Sequence, residues 1–361
     1  MRRPDRLLLA AVLAITALGA VVRCRMAGSL SAGAGPLAIG LAAGTVCFFA
    51  FANGRAAVLE KLRLPALFCA VAALAATFFL GHRYRGGTYV AGNMNPTELV
   101  KPLLVLFAAG MLSRGADDRR SVSTRAVLLT GAGLAVAAAG LAALKDFGML
   151  ALVAVTAASV LFAASWKWGL GAFSALAIGG MVCFLHPVGH LARRLSVWRD
   201  PFSDPTGAGW QTLHALAAMS AGGLTGEGFG QGTVEAIPIA SSDFVYAAFA
   251  EEAGLIGCCV LLALYLLFTV RGFCVAARAK TPFAAYLAVG LTAMVAAQVL
   301  VNVGGVVNAI PMTGVTLPLV SHGGSSLTVT LAACGLLLAL SADSPEDDDA
   351  ASPSRRGRRK T

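Results

Sequence analysis

Three acids, Asp243, Glu251 and Glu252, stand in "SSDFVYAAFAEEAG", residues 241 to 254, a stretch otherwise apolar enough to begin a membrane-spanning helix. An ionisable side chain in hydrocarbon costs about 3 kcal/mol on insertion scales, so each one marks a candidate functional site. A carboxylate at the rim of a membrane groove can take a proton from a hydroxyl, or hold a divalent cation against an anionic leaving group. Continued at about 100° per residue, the face of Asp243 runs through the small residues Ala247, Ala250 and Gly254, which predicts a groove with room for a long ligand. Capping is the competing account of this aspartate, because "SSD" ahead of a helix is a sound N-cap sequence. It does not account for Glu251 and Glu252, which lie deeper. These two are expected to pair with cations such as Lys101 and the outer arginines, or to orient a polar cavity.

Glu98 and Lys101 form a second group in "NPTELVKPL", and Asp146 in "LKDFGML" a third. An ion pair of Lys101 with Asp146 or with Glu98 would clamp helices together; direct contact with a substrate is the other reading. "GEGFGQG" matches no phosphate-loop spacing and follows no strand. "SHGGSS", with Ser325 and Ser326, either presents N–H groups at a helix N-terminus as an anion site or makes a tight turn. "IPMTGVTLP" brackets a glycine between two prolines, which suits a re-entrant or surface-hugging loop. The cysteines fall mostly in apolar runs without CxxC spacing, as packing residues do.

These groups must be positioned by membrane helices. The chain has 361 residues, 57% hydrophobic and 13% charged, the composition of an integral membrane protein. Ten candidate spans follow, at about 7–22, 36–53, 64–81, 97–113, 126–144, 147–164, 169–186, 242–270, 283–305 and 323–341. The first ends in "RCRMAG", with no small-residue cleavage site, and reads as a retained helix. With the N-terminus inside, most of the 28 Lys and Arg residues fall in inner segments and in the tail "SRRGRRK", so the positive-inside rule places both termini in the cytoplasm. That topology explains the net charge of +10 without nucleic acid. The expected organisation is an all-α membrane domain over 1–341, with a long outer loop at about 187–241, and a disordered, charged tail over 342–361. Within the loop, "GWQTLHALAAMSAGGLTGEGFGQGT" reads as an amphipathic surface segment followed by turns.

Taken in order, these pieces resemble the SEDS family (shape, elongation, division and sporulation proteins, including FtsW, RodA and SpoVE) from about residue 80 to 341. "NPTELVKPLLVLF" resembles the family's QPSE-x-x-K stretch and "KDFGMLALV" its PDLG turn. "SSDFVYAAFAEEAGLIG" is similar to TDFIFA…EE-x-G-x-x-G, and "NVGGVVNAIPMTGVTLPLVSHGGSS" to N-x-G…LP-x-TG-x-x-LPF-x-SYGGSS. The resemblance implies a peptidoglycan glycosyltransferase of the bacterial cytoplasmic membrane, acting on lipid II and the nascent glycan, with a lipid II flippase or an elongation polymerase as alternatives. It implies that Asp243 is required for transfer, that Glu251 and Glu252 support its cavity, and that Lys101 pairs with Asp146 across helices, near Glu98. Inversion at an α-linked diphosphate donor calls for a base near the acceptor hydroxyl and cations near the diphosphate. Asp243 fits the base, or a ligand of a divalent cation such as Mg or Mn. Arg83, Arg85, Arg193, Arg194, Arg199, Ser325 and Ser326 are the diphosphate candidates, while Arg23, Arg25 and Lys145 fall outside the matched loops. The implied partners are a class B penicillin-binding protein and other divisome or elongasome proteins. This chain departs from the family pattern in lacking a tryptophan before "NPTE", where Tyr84 and Tyr89 are the available rings, and in carrying His322 for a tyrosine. The threonine of "TGVTLP" looks like the FtsW and SpoVE branch.

Overall fold

In hydrocarbon no water is available to backbone N–H and C=O groups, so apolar runs of this length resolve into helices. The computed structural model describes residues 4–26, 38, 41–50, 56–84, 87–90, 95–118, 121–186, 189–232, 242–321 and 324–342. Its helices are α1 (Arg6–Met26), α2 (Leu41–Ala50), α3 (Ala56–Lys61), α4 (Arg63–Leu80), α5 (Thr97–Arg114), α6 (Thr124–Ala143), α7 (Phe147–Ala164), α8 (Trp166–Leu185), α9 (His190–Arg199), α10 (Trp210–Gly222), α11 (Val245–Arg278), α12 (Pro282–Val306) and α13 (Gly324–Ala342). Two short antiparallel hairpins, β1–β2 (His82–Tyr84, Gly87–Tyr89) and β3–β4 (Ala116–Asp118, Ser121–Val122), sit outside the bundle.

Eight helices, α1, α4, α6, α7, α8, α11, α12 and α13, are long and apolar enough to cross a membrane. The two other expected spans are α5, which carries Glu98, Lys101 and Arg114, and 36–53, of which α2 is the described part. The architecture is thus an all-α membrane protein, with a count of ten resting on those two segments. The tail beyond Ala342 lies outside the described residues.

α12 is the axis of the bundle. Its most apolar window is 72% buried against 6% for α8, because α12 packs on α5, α7, α11 and α13 whereas α8 packs mainly on α7. Close approach is made possible by small residues: a Cβ on Gly290 of α12 would lie 2.4 Å from Val105 of α5 and 2.8 Å from Val160 of α7. On the inner side, Arg271 of α11 donates to the Asp5 carboxylate through Nε at 2.9 Å, and the N–H of Asp5 donates to Ser341 at the end of α13 at 3.0 Å. This clasp joins the described start and end of the domain.

Two expectations about span eight are corrected. The helix starts at Val245, so Asp243 stands outside it. Its N-cap position is Phe244, with no side-chain cap bond, which removes capping of this helix as the role of Asp243. Ala247 and Ala250 are buried in the core at 0% and 5% exposure, so they line no open groove. The helix is also broken at Gly254, whose φ of 66° and ψ of −173° leave the helical region.

Candidate active site

The break in α11 is filled by the outer loop. The N–H groups of Glu227 and Gly228 donate to the carbonyls of Glu251 and Glu252 at 3.0 and 3.1 Å, while those of Leu255 and Ile256 donate to Gly223 and Leu224 at 2.9 and 3.1 Å. The loop thereby satisfies backbone groups that the kink releases, the condition for irregular backbone at membrane depth. Only glycine fits the crossing, since a Cβ on Gly254 would lie 2.3 Å from the nitrogen of Gly226, itself at φ 79°. The glycine series is therefore a backbone plug and not a nucleotide loop. Glu252 reinforces it by accepting from the N–H of Gly230 at 3.1 Å, and buried Glu251 packs against Gly232. Neither glutamate meets Lys101, contrary to that expectation.

Ahead of α11, Asp243 faces the non-helical stretch 307–321 that joins α12 to α13. Gly314, at φ 78°, approaches so closely that a Cβ there would lie 3.5 Å from Asp243 Oδ2. The Asp243 backbone is pinned on both sides: Asn302 Nδ2 donates to its carbonyl at 3.0 Å, and Ser321 Oγ donates to the carbonyl of Ser242 at 2.6 Å. The side chain remains partly accessible, at the mouth of a cleft whose walls remove most of its water. Burial pushes its pKa up to about 6, against the opposing pull of a Ser242 hydrogen bond and the Arg194 charge. A carboxylate of that basicity is ionised at neutral pH yet able to receive a proton during reaction.

Lys101 and Asp146 do not form the expected ion pair. Lys101 Nζ lies 2.6 Å from Glu98 Oε2 and donates to Gln298 Oε1 at 2.9 Å. Asp146 uses its carboxylate to cap α7, accepting from the N–H of Met149 at 3.0 Å. Geometry explains the exchange: an i, i+3 partner on one helix turn is at hand, while a free α7 terminus claims the aspartate. Burial raises the pKa of Asp146, with Glu98 also raising it and Arg194 and Lys101 lowering it. All four groups thus share one electrostatic neighbourhood.

Among the diphosphate candidates, Arg194 of α9 reaches the site, donating to the carbonyl of Thr313 at 3.2 Å. The helix is strapped to the same stretch by Trp198 Nε1, which donates to Asn308 O at 3.0 Å. Arg193 is exposed, and Arg199 lies over the ring of Phe184, 4.9 Å from its centroid. Arg83 is placed only by its backbone, paired with Thr88 across β1 and β2, and Arg85 and His322 lie outside the described residues. Ser325 Oγ accepts from the N–H of Asn95 at 3.0 Å, and Ser326 Oγ bonds Thr316 Oγ1 at 3.0 Å. Among the described residues no three of His, Cys, Asp and Glu are grouped as metal ligands, so Asp243 could supply one carboxylate and no cage.

Three participants escaped the sequence reading. Gln298 and Asn302, one turn apart on apolar α12, carry the polar-in-membrane signal that could have found them. Arg23 had been set aside with the unmatched loops; it is buried at 3% exposure, donating to Ser321 O at 3.3 Å.

An all-α membrane bundle with an acidic outer cleft walled by a re-entrant stretch defines the class. The chain belongs to the FtsW, RodA and SpoVE family, described as "Cell cycle protein", whose model matches residues 6–346. "Probable peptidoglycan glycosyltransferase FtsW" of Thiomicrospira cyclica is 38% identical over 256 residues, covering 69% of this chain and 66% of that one. "Peptidoglycan glycosyltransferase MrdB" of Escherichia coli is 35% identical over 253 residues, covering 68% and 67%. This chain thus spans about two thirds of the length of those relatives. The crystal structure of the rod shape determining protein RodA of Thermus thermophilus superposes with a TM-score of 0.70 at 27% identity, covering 95% of this chain and 98% of that one. A chain from a structure titled "Structural coordination of polymerization and crosslinking by a peptidoglycan synthase complex" gives 0.77 at 27% identity, covering 95% and 99%.

Proposed function

We propose that this protein is an inverting peptidoglycan glycosyltransferase of the bacterial cytoplasmic membrane, with both termini cytoplasmic and lipid II as substrate. The observation that carries the reading is the Asp243 carboxylate, uncommitted to capping α11 and held in a cleft between Gly314 and the charge of Arg194. The acceptor's 4-hydroxyl oxygen attacks the anomeric carbon of the donor sugar and forms the β-1,4 bond. The bond from that carbon to the diphosphate oxygen breaks, and its electron pair leaves with the diphosphate. The hydroxyl proton passes to Asp243. Developing charge on the diphosphate is met by Arg194 and by the N-terminal turn of α13 with Ser326, groups fixed before reaction and therefore effective.

A divalent cation fits the same site in one way only. Mg or Mn bound through a single carboxylate takes its other ligands from water and phosphate oxygens, so Asp243 would hold it against the diphosphate, where it would supply charge neutralisation. The supporting cavity is built by Glu98, Lys101, Asp146, Glu251 and Glu252 as described. The relatives' names and the synthase-complex neighbour support a polymerase that works beside a class B penicillin-binding protein within the divisome. The threonine in "TGVTLP" favours division over elongation.

The test is polymerisation of labelled lipid II by the purified protein with its transpeptidase partner, wild type against Asp243→Asn. Loss of polymer with lipid II binding retained is expected. Polymer at near wild-type rate would overturn the assignment and favour a flippase.

A further inference from the structure

Gln298 and Asn302 are buried amides, 1% and 0% exposed, on a helix that is otherwise a packing element. Both spend their NH2 groups on the stretch facing Asp243. Gln298 Nε2 donates to Thr316 O at 2.8 Å and to Thr316 Oγ1 at 3.3 Å; Asn302 Nδ2 donates to Val315 O at 2.7 Å and Asp243 O at 3.0 Å. Gln298 presents its oxygen to Lys101, accepting from Nζ at 2.9 Å. Thr316 Oγ1 then meets Ser326 Oγ at 3.0 Å. One chain of hydrogen bonds therefore runs from the Glu98 and Lys101 pair on α5, through α12, to the 313–316 stretch and the first turn of α13.

We propose that Gln298 is a positioning residue for glycosyl transfer, seating the 313–316 stretch against Asp243 according to how Lys101 is held. The proposal rests on the polymerase reading above. An amide is the side chain this place needs. It must accept from an ammonium and donate to a main-chain carbonyl at once; a carboxylate cannot donate when ionised, a lysine cannot accept, and leucine does neither. Gly314 lies two residues from Thr316 and against the Asp243 carboxylate, so a shift of Thr316 alters the gap in which the acceptor hydroxyl must sit. Misplacement by about 1 Å at a reacting centre can cost roughly 100-fold in rate.

The experiment uses the full chain with its transpeptidase partner and fluorescent lipid II, with turnover, KM and melting temperature measured for each variant. Gln298→Leu is expected to lower kcat roughly tenfold or more while KM stays within about twofold, the split a positioning role requires. Thr316→Val keeps the main-chain acceptor but removes both hydroxyl links, and should lower kcat several-fold with little change in melting temperature. In a cycle with Lys101→Met, the double variant should be no worse than the poorer single one, because both break the same chain. A kcat within about twofold of wild type in folded Gln298→Leu, a loss confined to KM, or additive losses in the cycle would each overturn the proposal. If Gln298→Leu does not fold, Thr316→Val decides alone, and wild-type kcat there overturns it. Asp243→Asn separates the two levels: if inactive while Gln298→Leu is normal, only the positioning role falls; if it still makes polymer, the polymerase site itself falls.

Discussion

The side-chain amide of Asn302 donates to the main-chain oxygens of Asp243 at 3.0 Å and Val315 at 2.7 Å. One fully buried residue of α12 thus sets the spacing between the residue that bears the carboxylate and the stretch that faces it. Within this frame Asp243 is held by its backbone, which leaves its side chain for chemistry.

That division of labour makes Asp243→Asn an informative variant. Asparagine keeps the shape and the backbone bonds but neither accepts a proton at working pH nor holds a cation well. Polymer synthesis is expected to fall by at least about a hundredfold, at the upper end of what a general base contributes, with expression and melting temperature maintained. A thermal melt and a lipid II polymerisation gel on one preparation check both halves.

The pH response of Asp243 has a definite sign. Its pKa is raised from the ordinary 3.8 to about 6 by burial, so turnover should fall as pH drops through about 6 and the base is protonated. Arg194 holds that value down, and Arg194→Met should therefore move the acid limb to higher pH. The folded pKa lies above the unfolded one, so deprotonation costs folding stability as pH rises from 3.8 to about 6. Wild type should lose melting temperature over that window relative to Asp243→Asn. An acid limb that stays in place when Arg194 is replaced would contradict the electrostatic account.

Gly254→Ala tests the broken helix. The alanine would be forced to φ 66° with its Cβ 2.3 Å from Gly226 N, strain of about 1–3 kcal/mol before the clash is counted. Expected results are a clear drop in melting temperature and loss of polymer, since Glu251 and Glu252 are held by the displaced loop. Gly257→Ala, in the continuous part of the same helix, should be far milder in the same assay.

The Glu98 and Lys101 pair is buried on both sides, with side chains 9% and 2% exposed. Removing one member leaves a charge without its partner, a loss of about 3–5 kcal/mol, whereas removing both removes the debt as well. Glu98→Gln and Lys101→Met should each destabilise the protein more than the double variant does. Pairing Lys101→Met with Asp146→Asn should instead give near-additive losses, because Asp146 is engaged with the N–H of Met149.

Spans, sidedness and the identity of the principal acid were legible in the sequence alone. Lipid leaves the backbone no partner outside its own segment, so apolar length translates directly into helices, and a lone acid at the head of such a run is conspicuous. What the chain could not disclose is which buried groups meet. Lys101 turns to Glu98 three residues away and to Gln298 across the bundle, because Asp146 is claimed by the end of α7. Gly254 reads in sequence as one more small residue on a helix face, yet it is the crossing point of a loop that arrives from Gly226. Asp243 looked like a cap and faces Gly314 instead. Helical period fixes only neighbours within a turn or two, whereas hydrogen-bond partners far apart in the chain depend on how whole helices pack, and that was decided by the tertiary structure.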